Sequence, residues 1–326
     1  MYVESEPLNI RYADVLKFKK NPSHLTGGGI YHILLLRKIV MQPLNYLQST
    51  TGLIWVIACI PLGFLLTFLA YLTINKVPAK WLCDYNETPS ADLLSGERVN
   101  YKKSGIILSF IVSASLVMCR LQFNKGYDIY FLLLTLIIFL GIMISVADIK
   151  YTIIPDQFTV ALGVLGVAVS VYDIVRGYNI LHQSWWSPLA GAALGAGVMI
   201  IIDLLGMLIY KKDGMGFGDV KLFFAVGLFT GFPGTIYALI ISLITASICF
   251  VVILIVSKTV SSHKNSELSE QDNIEENQEI SDEDNADISA GSHLAFGPYI
   301  AIAVIVYAAL FDVINYLAEL YMSLFY

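Results

Sequence analysis

Residues 129–148 read Ile129-Tyr130-Phe131-Leu132-Leu133-Leu134-Thr135-Leu136-Ile137-Ile138-Phe139-Leu140-Gly141-Ile142-Met143-Ile144-Ser145-Val146-Ala147-Asp148. An uncharged apolar run closes on a carboxylate. A helix needs about 20 mainly apolar residues to cross a bilayer, so this run spells a membrane-spanning helix. The pattern returns reversed further on, where Gly214-Met215-Gly216-Phe217-Gly218-Asp219 opens another apolar run at Val220. Ionisable groups at the edge of lipid-embedded helices are costly, which makes Asp148 and Asp219 functional candidates by default.

The composition agrees. Of 326 residues, 56% are hydrophobic and only 14% charged, and the mean hydropathy is +0.69. Soluble domains carry about 25% charged residues, so the chain is a polytopic membrane protein. Its net charge of −6 is local: ten of the 26 acidic residues lie between Ser257 and Ser292, and the remainder holds 16 acids against 18 Lys and Arg. No basic face stands out, which excludes nucleic acid as a partner. Three of the four cysteines, Cys59, Cys119 and Cys249, sit in apolar runs, where cysteine acts as a small hydrophobe. No CxxC pair exists to hold a structural zinc, and no metal site is expected. The N-terminus, Met1-Tyr2-Val3-Glu4-Ser5-Glu6, does not read as a cleavable signal peptide.

Further spans are expected at Ile54–Ile74, Gly105–Leu121, Phe158–Val175, Pro188–Tyr210, Gly234–Val256 and Ala295–Tyr316. Val220–Phe232 is too short to span comfortably and is expected as a helix packed against protein within the bundle. The fold class is therefore all-α, with seven to eight transmembrane or membrane-embedded helices around an aspartate dyad. Three regions are expected: an amphiphilic extension at 1–50, a first span with a short loop at 51–104, and a membrane domain at 105–326 interrupted by an acidic, disordered linker at 257–292. The small residues from Ala190 to Gly197 let helices approach closely.

Helix counting puts both aspartates on one membrane face. That face also collects Lys76, Lys80, Arg98, Lys102, Lys103, Lys150, Lys211, Lys212 and Lys221, whereas the short loops opposite carry Arg120, Lys125 and Arg176. The positive-inside rule makes the aspartate face cytoplasmic, and the expected location is the cytoplasmic (inner) membrane. Residues 1–50 conflict with this count, because it places them outside despite Arg11, Lys17, Lys19, Lys20, Arg37 and Lys38.

Two carboxylates that meet cannot both ionise easily, so they share a proton. The ionised one then deprotonates a water while the protonated one donates to a carbonyl oxygen, the chemistry of an aspartic protease. Gly214, Gly216 and Gly218 would let an extended substrate lie against the loop. Lys221, two residues after Asp219, is a candidate substrate-binding or loop residue that could depress a carboxylate pKa or bind a phospholipid headgroup, with a snorkelling anchor as its plain reading. Asp156, after Pro155, reads as an N-cap for the next helix. Asp173 reads as an interfacial polar residue beside Arg176, and Asp203 as an intramembrane polar contact.

Gly-x-Gly-Asp followed by Val220-Lys221-Leu222, preceded by Asp148 and the Pro155-Asp156 pair, resembles the type IV prepilin peptidases, which are GxGD membrane aspartic proteases. Ala295-Phe296-Gly297-Pro298-Tyr299 resembles that family's Phe-Gly-Pro motif. The resemblance covers roughly Gly105 to Ala303. It implies that Asp148 and Asp219 are catalytic, that Gly297 and Pro298 belong to the site, and that basic leader peptides of type IV prepilins or pseudopilins are cut at the cytoplasmic face. No cofactor is implied for proteolysis. S-adenosylmethionine is implied only if the family's N-methyltransferase activity is retained, and the segment Asn75–Ser104 departs from the paired CxxC pattern with Cys83 alone. Gly63-Phe64-Leu65 matches the first-helix motif only in part, with Thr67 in place of the usual Asn. The competing class is an ion-coupled transporter using intramembrane aspartates, which internal repeats would favour. None is visible.

Overall fold

The computed structural model describes residues 43–83, 88–94, 98–102, 104–123, 128–176, 181, 184–210, 216–271 and 295–325. Readings that fall on residues 1–42, on Gly214 or on 272–294 lie outside these. A helical stretch at 43–48 precedes α1 (Thr50–Lys76), α2 (Ala91–Leu94), α3 (Ser104–Gln122), α4 (Asp128–Tyr151), α5 (Asp156–Arg176), α6 (Ser187–Tyr210), α7 (Phe217–Gln271), α8 (Gly297–Ala309) and α9 (Phe311–Phe325). Six are long and apolar enough to cross a membrane, or up to seven if Gly297–Ala309 and Phe311–Ala318 count as one span. The fold is thus an all-α polytopic membrane fold. Residues 54–310 form one compact unit, which holds every site described below, and Phe311–Tyr326 falls in another.

Two boundaries differ from expectation. The apolar run Ala295–Tyr316 is not one helix, because the chain leaves helical geometry at Leu310 (φ −115°, ψ 22°). Hydropathy is continuous there and gives no signal of the break. The helix α7 continues to Gln271, so residues 257–271 are helical where a disordered linker is expected. A polar sequence can extend a helix nucleated by the apolar turns before it, since adding a residue costs far less than starting a helix.

Inside α7 the chain breaks at Gly231 (φ 68°, ψ 179°), a conformation glycine alone adopts without steric cost. Pro233, near the start of the second arm, needs no amide partner there. The exposed amide of Phe232 is satisfied by Ser187 Oγ at 3.1 Å. The first arm, residues 217–230, therefore runs along α6 to its N-terminal end. The second arm leaves against α8, where Tyr237 stacks on Tyr307 at 6.1 Å.

Glycines set the closest approaches. A Cβ on Gly227 would lie 2.4 Å from the backbone of Gly191 and Ala192, and one on Gly195 would lie 2.7 Å from the Phe223 carbonyl. Backbone contact of this kind gives van der Waals packing that lipid cannot match. Gly227→Ala forces two backbones apart. It should cost about 2 kcal/mol, within the range for overpacking, and lower the melting temperature of the detergent-solubilised protein. Unchanged melting would contradict the packing at Gly227.

Candidate functional site

The α4 helix is the most deeply set, with Ile142, Met143, Ile144, Val146, Ala147 and Asp148 all buried in its last turns. It ends on Thr152, whose amide donates to the Asp148 carbonyl at 2.8 Å and whose φ of 53° is left-handed. This is a C-cap that stops the helix just past the carboxylate. The chain then turns through Ile153-Ile154-Pro155 into α5. Ile154 lies against Gly218, where a Cβ would sit 3.0 Å from the Ile154 Cβ. Gly218 thus lets the α4–α5 connection close on the start of α7, next to Asp219.

Asp148 is 5% and Asp219 8% exposed, and their carboxylates are close enough to interact electrostatically. Asp148 Oδ2 accepts a hydrogen bond from the Gly297 amide at 2.7 Å. Gly297 opens α8, with Pro298 in the same first turn, so the positive end of a helix faces the carboxylate and the Gly297 amide is the donor it presents. A Cβ on Gly297 would fall 2.8 Å from Asp148 Oδ2, so only glycine permits this bond. Asp219 Oδ1 is buried with no hydrogen-bond partner among the described residues. Buried acceptors are normally satisfied, so this oxygen has capacity for a water or a substrate group.

Two buried carboxylates, each within electrostatic reach of the other, and a helix N-terminus bonded to one of them thus come from three distant parts of the sequence. Gly216 accepts from the Asp219 amide at 3.0 Å, and a Cβ there would meet nothing within 4 Å. Lys221 lies two residues past Asp219, with its Nζ 2.7 and 3.0 Å from the two carboxylate oxygens of Asp156. That pair links α7 to α5, a long-range role beside the local capping expected of Asp156 from sequence. Asp173 also departs from its interfacial reading. It is fully buried, and its Oδ2 accepts from the Leu181 amide at 3.0 Å. Among the described residues no group of three or more His, Cys, Asp or Glu could hold a metal ion.

A part of the site that sequence reasoning missed is the segment between α1 and α3. Arg98 is 9% exposed. Its Nε donates to the Leu93 carbonyl at 2.8 Å and its Nη1 to the Ile74 carbonyl at 3.1 Å and to that of Val77. Asn75 and Val99 exchange two further bonds. Lys150, two residues past Asp148, donates to the Arg98 carbonyl and pairs with Asp92 at 2.9 Å. Trp81 meets Phe158 edge-on at 6.3 Å. The short loop is thus a folded cap fastened to the aspartate end of α4 and α5. Positive charge was its only sequence signal, and a topological count absorbs that. Arg98→Met should cost about 2 kcal/mol, since it removes charged hydrogen bonds and strands buried carbonyls. It should also speed proteolysis of residues 77–102, and a proteolysis rate equal to that of the wild type would contradict this role.

The fold and the site define a polytopic membrane protein that buries an aspartate pair at one end of its bundle. Residues 131–251 match the type IV leader peptidase family. The chain is 30% identical over 107 residues to a prepilin leader peptidase/N-methyltransferase of Xanthomonas campestris pv. campestris, covering 33% of this chain and 35% of that one. It is 33% identical over 88 residues to the protein of the same name from Escherichia coli K12, covering 27% and 36%. With leader peptidase HopD of Escherichia coli it shares 30% identity over 88 residues, covering 27% and 52%. The matches thus span about a third to a half of the length of these relatives. No solved structure matches the chain.

Proposed function

We propose that the chain is a membrane-embedded aspartic endopeptidase that removes the basic leader peptide from type IV prepilins or pseudopilins at the cytoplasmic face of the inner membrane. One observation carries this reading: Asp148 and Asp219, 71 residues apart in sequence, are both buried at one end of the bundle and within electrostatic reach of each other. Such a pair holds one proton between two carboxylates. The ionised member takes a proton from water as the water oxygen bonds to the scissile carbonyl carbon. The protonated member donates to the carbonyl oxygen. In the second step the C–N bond breaks, the leaving nitrogen takes a proton, and a carboxylic acid and a free amine result. No covalent enzyme intermediate forms. The Gly297 amide orients Asp148, and the unpartnered Asp219 Oδ1 is suited to hold the water.

Lysines around the aspartate end support the cytoplasmic orientation. The methyl transfer in the relatives' names is not carried to this chain, whose segment 75–104 holds Cys83 alone. The test is purified full chain with a synthetic peptide comprising a basic leader and the apolar segment that follows it. Cleavage at the leader junction, read by mass, is the expected result. No cleavage in either detergent or vesicles would sink the proposal.

A further inference from the structure

Behind the helix that carries Asp219 lies a groove of about 700 Å³ between α5, α6 and the first arm of α7. Its walls are apolar, with Val160 and Val164 on one side and Phe224 and Leu228 on the floor. Its charged groups, Asp156 and Lys221, lie together at the end nearest the aspartates, with Thr159 one turn along. The rim is open toward the surface that faces lipid, where Val160 is 66% and Val164 64% exposed.

Dimensions and charge identify an occupant. The lining runs from Asp156 to Val167 on α5 and from Phe217 to Leu228 on α7, which at the helical rise is about 16 Å. Half of a hydrocarbon core is about 15 Å thick. The groove is therefore polar at the membrane edge and apolar for the depth of one leaflet. An acyl chain matches that leaflet depth in length and enters directly from the lipid to which the groove is open. At the polar end Lys221 and Asp156 form a neutral pair, with side chains 32% and 35% exposed. A purely anionic headgroup is repelled by Asp156 as it is attracted by Lys221. A phosphoethanolamine group offers a phosphate to the lysine and a three-donor ammonium to the carboxylate, so both charges keep a partner.

We propose that this groove binds one phospholipid with a phosphoethanolamine headgroup, drawn from the leaflet on the aspartate side. Its acyl chain lies along the groove, its phosphate on Lys221 and its ammonium on Asp156. The floor of the groove is the opposite face of the arm that carries Asp219, so the bound lipid braces that arm from behind.

The test uses the full chain in detergent. Native mass spectrometry would count adducts formed with phosphatidylethanolamine, phosphatidylglycerol or phosphatidylcholine of the same acyl composition. The expected result is one retained phosphatidylethanolamine, bound about tenfold more tightly than either other lipid, which corresponds to one charged hydrogen bond. Gly163→Phe should abolish the adduct. A Cβ at Gly163 meets only Ala225 and Leu228 at ordinary contact distances of 3.8 and 3.9 Å, so the ring enters the groove without backbone strain. Asp156→Asn removes the carboxylate that would repel an anionic headgroup and should reverse the preference toward phosphatidylglycerol. Misfolding would lose all adducts and cannot produce such a reversal. Equal retention of the three lipids by the wild type, survival of the adduct in Gly163→Phe, or an unchanged preference in Asp156→Asn would each overturn the proposal.

Discussion

Asp148→Asn and Asp219→Asn should each lower cleavage of a leader peptide by about 10³-fold, within the range for losing a positioned acid or base. The double variant should be no worse than the worse single one, because residues that act as a unit are grossly non-additive. Asparagine suits this test. It keeps the size of the side chain, and an oxygen to accept from the Gly297 amide that now meets Asp148 Oδ2 at 2.7 Å. What it removes is the shared proton. Both variants should therefore fold, melt near the wild type and still bind the peptide. Single-turnover rates separate this from a loss of binding. If either variant keeps more than about a tenth of the wild-type rate, the pair is not the acid–base couple.

Gly297→Ala should lower kcat by about 10²-fold and leave KM nearly unchanged, as expected for a catalytic group misplaced by about 1 Å. The added methyl would lie 2.8 Å from Asp148 Oδ2 and 3.3 Å from its Cγ. Real contacts are not that short, so the carboxylate must swing and release its bond to the amide. A side chain can move where a backbone cannot. Gly297→Ala should thus melt close to the wild type, unlike Gly227→Ala, whose methyl meets backbone at 2.4 Å. Combined with Asp148→Asn it should add little, because neighbouring groups in one network couple. Full activity in Gly297→Ala would show that the amide does not position Asp148.

The main architecture was readable because lipid imposes a simple rule: apolar runs of sufficient length become helices. That rule located every span from α1 to α6. It also exposed Asp148 and Asp219, since a carboxylate bounding such a run has few structural excuses. Gly297 was visible only through its motif. The reason glycine is needed there, a carboxylate 149 residues earlier in the chain, is tertiary. Arg98 was legible as charge and not as a buried clamp, because its three carbonyl acceptors come from two helices and a loop. Asp156 looked like a local cap because its partner Lys221 is 65 residues away. The break at Leu310 and the helical extension to Gln271 left no trace in hydropathy or charge.

The amide that anchors Asp148 belongs to Gly297, beyond both carboxylates in chain order and outside the matched segment 131–251. A ribosome delivers Asp148 and Asp219 to the membrane well before it delivers Gly297. During synthesis the nascent protein therefore holds both acids with neither fastened by α8. On the proposed function its aspartate pair is fully positioned only once the Gly297 amide at the start of α8 has arrived, so a stalled or truncated chain would leave the membrane with a weakened peptidase rather than a fully active one.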